Sequence, residues 1–152
     1  MMLVAFTTPA QFSAQTTRPA YFEYCEGVDL CPISTVVSFA QAQLENVLAE
    51  CRYVDWDGHG AAAVSPDAYQ AAKRFIGTLP PGIPQPALSA DPDGCVTFEW
   101  RSLPRKLALV SVHPDFQLDF AAIFGTSRVY GSEPFFDQLP DGIENLVRRI
   151  YA

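Results

Sequence analysis

The sequence predicts an α+β fold: an antiparallel meander of three or four strands covered by helices, in the order arm, α, α, β, β, β, an optional β, α. Three observations point there. Apolar residues recur at helical spacing in two stretches before residue 80 and again at the C-terminal end. Period-two alternation marks Val96 to Trp100 and Phe116 to Phe124, an almost wholly apolar run spans Leu107 to His113, and short turn signals separate them. Consecutive strands joined by short turns must be antiparallel, and their shared apolar face needs the helices as cover.

The chain divides at residue 33. Residues 1–33 are rich in Thr, Pro, Gln and aromatics, with Phe6, Phe12, Tyr21, Phe22 and Tyr24 in no regular period, and read as an extended N-terminal arm. So many aromatics suit an arm that packs on its own domain or on a second subunit, which makes a homodimer through the arm one expectation. Residues 34–152 form the α+β domain. A chain of 152 residues fits one domain and buries roughly 68 to 70% of its unfolded surface.

Within that domain, Val37, Ala40, Leu44, Val47, Leu48 and Cys51 share one side of a helix ending near Tyr53. After a glycine-containing turn, Ser65 is a good N-cap, Pro66 suits the first helical position, and Asp67 complements the dipole. Ala68, Ala72, Phe75, Ile76 and Leu79 then make a second apolar stripe, stopped by Pro80-Pro81-Gly82. Beyond a proline-punctuated linker, Asp91-Pro92-Asp93-Gly94 signals a turn. Val96, Phe98 and Trp100 share one strand face and Thr97 and Glu99 the other. Leu107 to His113 and Phe116 to Phe124 are the next strands, and Arg128 to Tyr130 a short edge strand. Ile143, Leu146, Val147 and Ile150 define a final helix, acidic at its start and basic at its end.

Composition narrows the function classes. Ten basic against seventeen acidic residues give a net charge of -7, which disfavours direct nucleic-acid binding through a basic surface and favours solubility or cationic partners. No segment approaches the about 18 unbroken apolar residues of a membrane span, and Met1 to Ala14 lacks the basic start of a secretory signal. Cysteines at 25, 31, 51 and 95 show no Cys-x-x-Cys spacing. Cys25 and Cys31 are close enough to bridge a loop, while Cys51 and Cys95 are placed on the apolar sides of a helix and a strand, which points to a reducing cytoplasm.

Asp55, Asp57 and His59 alternate through a glycine turn, so three ligands could converge on a cation there. The same residues also suit plain turn chemistry, with the carboxylates bonding local amides and Trp56 as the anchor. His113 is the other histidine, and a Cys95 nucleophile activated by it would need both on neighbouring strands with side chains on one face. Glu99, Trp100 and Arg101 gather mixed charge around an aromatic near a hairpin tip, the composition of an interface centre, unless Trp100 is core. Phosphate loops, nucleophile elbows and zinc-protease motifs are not found, and no cofactor is expected.

Trp56-Asp57-Gly58 with Gly60-Ala61, Ser65-Pro66-Asp67-Ala68, Leu79-Pro80, Asp91-Pro92-Asp93-Gly94, Glu99-Trp100, Phe124-Gly125 and Glu133-Pro134-Phe135 together resemble a family of small bacterial proteins without an agreed activity. The likeness covers residues 53 to 150 and leaves the arm outside. It implies a bacterial or mobile-element cytoplasmic protein and transfers no catalytic residue.

The expected function is therefore a non-catalytic protein-binding module, with Tyr21, Phe22, Tyr24, Glu99, Trp100 and Arg101 as its contact residues. In its specific form it is an inhibitor or antidote of a nucleic-acid-handling protein in a bacterial or phage conflict system, anti-CRISPR or antitoxin-like. Two alternatives stand beside it: a small metal-dependent hydrolase centred on Asp55, Asp57 and His59, and a structural subunit of a larger assembly.

Overall fold

The computed structural model describes residues 33 to 152. Tyr21, Phe22, Tyr24, the Cys25 and Cys31 pair and a dimer through the arm lie outside the described residues. The elements are α1 (Ile33–Cys51), α2 (Pro66–Gly77), β1 (Ala87–Ala90), β2 (Val96–Leu103), β3 (Lys106–Val112), β4 (Gln117–Phe124), β5 (Ser127–Pro134) and α3 (Asp141–Tyr151). All five strands form one antiparallel sheet in chain order, so the α+β meander is as expected, with five strands in place of three or four.

Alternation along the strands sorts the sheet into two faces. Val96, Phe98, Trp100, Ala108, Val110, Val112, Leu118 and Ala122 point to one side and are buried. The three helices supply the facing residues: Ala40 and Leu44 from α1, Ala68, Phe75 and Ile76 from α2, and Ile143, Val147 and Ile150 from α3. Phe75 sits at the centre, its ring 4.7 Å from Phe98 and 5.8 Å from Phe135. Each such fully buried aromatic or aliphatic side chain contributes about 1.5 to 3 kcal/mol. Trp100 is 1% exposed and its indole N–H donates to the Pro84 carbonyl at 2.8 Å, so the one polar atom of this core residue is satisfied.

The helix signals hold at the atomic level. The Ser65 hydroxyl accepts the Ala68 amide at 3.1 Å and Pro66 opens α2. At the sheet margin, the outward Leu88 amide of edge strand β1 donates to Gln43 Oε1 of α1 at 2.9 Å. The C-terminal helix is tied to the end of β2 by the Ser102 hydroxyl, which donates to the Ile150 carbonyl at 2.5 Å, and to β4 by Arg149, whose guanidinium lies 4.3 Å from the Phe124 ring centroid. Among the described residues no helix is long and apolar enough to cross a membrane.

The other face of the sheet carries a different population. Rows crossing it read Ser89, Thr97, Ser111, Asp119, Ser132, and next to them Ala87, Glu99, Leu109, Ala121, Tyr130. Tyr130 is 84% exposed. This open face holds the polar groups whose arrangement bears on function.

Candidate functional site

The glycine turn, weighed both as a cation site and as plain turn chemistry, is a hydrogen-bonded knot. Asp57 Oδ1 accepts the amides of His59 at 2.8 Å and Ala61 at 3.1 Å, and Asp55 Oδ1 accepts that of Gly60 at 2.7 Å. The His59 ring donates through Nδ1 to the Asp57 carbonyl at 2.8 Å, and the Trp56 indole donates to the Ala62 carbonyl at 2.9 Å. With their oxygens turned onto backbone amides, Asp55 and Asp57 do not converge with His59 on a common point. The amide bonds to His59 and Ala61 hold the Asp57 carboxyl below its ordinary value of 3.8.

This knot buttresses a second turn. The Ala62 amide donates to the Pro92 carbonyl at 2.8 Å. Gly94, at φ +88°, lies so close that a Cβ there would meet the Ala63 carbonyl oxygen at 2.7 Å. The two residues that follow the knot are thus in direct contact with the Asp91–Gly94 turn.

What the second turn presents is chemically richer. Asp93 Oδ1 accepts the Cys95 amide at 3.0 Å, an Asx turn that places the carboxylate beside the thiol. Cys95 and His113 extend the Val96↔Val112 pair by one residue at the end of the sheet, and Cys95 Sγ lies 3.1 Å from His113 Nδ1. His113 Nε2 in turn meets Asp119 Oδ2 at 2.9 Å, and the Ser132 hydroxyl donates to the other oxygen of Asp119. With the Nε2 proton given to Asp119, Nδ1 is left as a lone pair facing the sulfur. Alongside, Asp91 Oδ2 takes hydroxyl contacts from Thr97 and Ser111, the latter at 3.1 Å.

Cys95 is buried, as the sequence led us to expect, but its thiol faces this polar cluster and not the apolar core. The distances are those of a nucleophile, a base and an orienting carboxylate. The electrostatics are not. Burial first, then the Asp93 carboxylate, with Asp91 and Asp119 behind it, pushes the Cys95 thiol up to about 12. Reactive cysteines sit instead in electropositive surroundings, which lower the thiol. Thiolate catalysis is therefore disfavoured. Asp119 moves the opposite way, held low by the Ser132 hydroxyl and the His113 ring.

Among the described residues, Asp93, Cys95 and His113 are the group whose ligand atoms converge, all lying within 4.8 Å of one another. Sequence reasoning considered Cys95 with His113 but missed Asp91, Asp93 and Asp119. Asp119 becomes visible only when the β3–β4 register is known, because it stands opposite Ser111 and not His113.

At the other end of the face, Arg101 and Glu99 pair at 2.8 Å and remain on the open side. Trp100, grouped with them as a contact residue, points to the core, where alternation with Val96 and Phe98 puts it, and offers nothing to a partner in this fold. Leu107, Leu109 and Ile123 are half-buried beside them, and Arg128 and Tyr130 of β5 complete the surface. No family model matches the chain, and no curated protein or solved structure does either.

Proposed function

We propose that this domain is a non-catalytic protein-binding module that uses the open face of its sheet, and that its partner is a basic, nucleic-acid-handling protein which it inhibits. One observation carries the reading: the helices all pack on one side, while the other side combines an exposed tyrosine with half-buried aliphatics and mixed charge. Aromatic and arginine side chains around a small apolar centre are what interface cores favour. Asp91, Asp93 and Asp119 make one end of the face acidic, and the chain as a whole carries -7, so a cationic surface is the complementary occupant.

The test is recovery of the tagged full-length protein from its native host, followed by an assay of any companion. We expect one stoichiometric basic protein whose nucleic-acid binding or cleavage is suppressed by the domain. Tyr130→Ala combined with Arg128→Ala should release it without altering the circular dichroism spectrum. A protein recovered alone, or a companion indifferent to those substitutions, would overturn the proposal.

A further inference from the structure

The geometry points to a binding site for one divalent cation of the zinc class, held by Asp93, Cys95 and His113 at the end of the open sheet face. The inference is independent of the partner reading. Three ligands of the types zinc prefers come from adjacent turns and already lie within 4.8 Å of one another. Zinc–ligand lengths of about 2.0 to 2.3 Å in a tetrahedron imply ligand separations of roughly 3.3 to 3.8 Å. The 3.1 Å between Cys95 Sγ and His113 Nδ1 must open slightly, and the Asp93 side, which is exposed, closes by a side-chain rotation.

A second observation points the same way. Histidines that ligate metals usually donate their other ring nitrogen to a carboxylate, which fixes the tautomer and strengthens the ligating nitrogen. His113 does this: Nε2 is engaged by Asp119, Asp119 is held by Ser132, and Nδ1 is turned to the sulfur. Charge also balances. A thiolate and a carboxylate with neutral imidazole neutralise a divalent ion, and the thiol proton leaves to solvent as the metal–sulfur bond forms. Thiolate with imidazole selects zinc or cobalt over magnesium or calcium. Three protein ligands would leave the fourth position to water. The metal would clamp the Asp91–Gly94 turn to the end of β3.

Cobalt is the probe, because a cobalt–thiolate bond gives a near-ultraviolet charge-transfer band. Full-length protein stripped of metal should take up one Co²⁺ per chain with that band, and zinc should displace it. Cys95→Ser should abolish the band, while Cys25→Ser and Cys31→Ser should leave it intact. Asp93→Asn preserves the acceptor for the Cys95 amide, and should weaken binding tenfold or more. Asp119→Asn, outside the ligand set, should weaken it 10- to 100-fold. Absence of stoichiometric cobalt, a band surviving Cys95→Ser, a band lost with Cys25→Ser or Cys31→Ser, or unchanged affinity in Asp93→Asn would each overturn the assignment.

Discussion

Gly94 lies against the Ala63 carbonyl, with space for a hydrogen and not for a methyl: a Cβ at that position would sit 2.7 Å from the oxygen. Its φ of +88° adds a second constraint, since L side chains rarely adopt that region. Gly94→Ala should therefore destabilise the domain by more than about 1 kcal/mol, and the loss should exceed that of alanine at Gly77, which has open space and ordinary backbone geometry. Chemical denaturation of the two variants beside the parent decides it.

The Asp57 knot gives a pH-dependent prediction. Its carboxyl is held below 3.8 by the His59 and Ala61 amides, so its stabilisation is present above the unfolded value and fades as pH falls through the lower folded one. Asp57→Ala should melt below the parent at neutral pH, and the difference should close in strong acid. A difference that stays constant with pH would assign the effect to packing.

An opposite dependence is expected between α1 and α2, where the Tyr69 hydroxyl donates to Glu45. That bond to the carboxylate raises the phenol above its ordinary 10.0, so the contribution is complete below 10.0 and is lost as pH rises through the raised value. Tyr69→Phe should be less stable than the parent at neutral pH and equal to it once the phenol ionises. Urea titrations at several alkaline pH values measure the convergence.

Trp100 and Trp56 should be distinguishable by fluorescence quenching. Trp100 is 1% exposed, whereas Trp56 is only partly buried in its surface turn. Acrylamide should quench Trp56 readily and leave a protected component that disappears in Trp100→Phe. Trp100→Ala should cost about 3 to 5 kcal/mol, the range for emptying a core site of this size, with loss of the bond to Pro84 included.

The parts of this fold written in amphipathic period were legible in the sequence. The apolar stripe of α1, the Ser65 cap of α2 and the alternation of Val96, Phe98 and Trp100 each follow from local pattern. β1 escaped because it is four residues of Ala, Leu and Ser, with only Leu88 and Ala90 turned inward. β5 reads weakly because it is an edge strand whose side chains are mostly exposed, and because Gly131 stands where the Phe120 ring covers it. The polar cluster was least legible. Cys95 and His113 meet only because the β2–β3 register sets Val96 opposite Val112, and Asp119 joins through the separate β3–β4 register. Asp55 and Asp57 follow the turn chemistry that their spacing also suggested, with their carboxylates aimed at their own backbone.

The bond from Leu88 to Gln43 has a consequence for how copies of this chain behave when crowded. A sheet margin with free amides is a template on which an identical strand can lay itself down, and lateral growth of that kind leads to fibres. Gln43 already fills one such position on β1, and the helix that carries it stands in the path of an incoming chain. Polymerisation from that side would first require tearing α1 from the sheet. Among the described residues no helix side chain caps β5 in the same way, and growth there meets Pro134, a residue with no amide proton to offer.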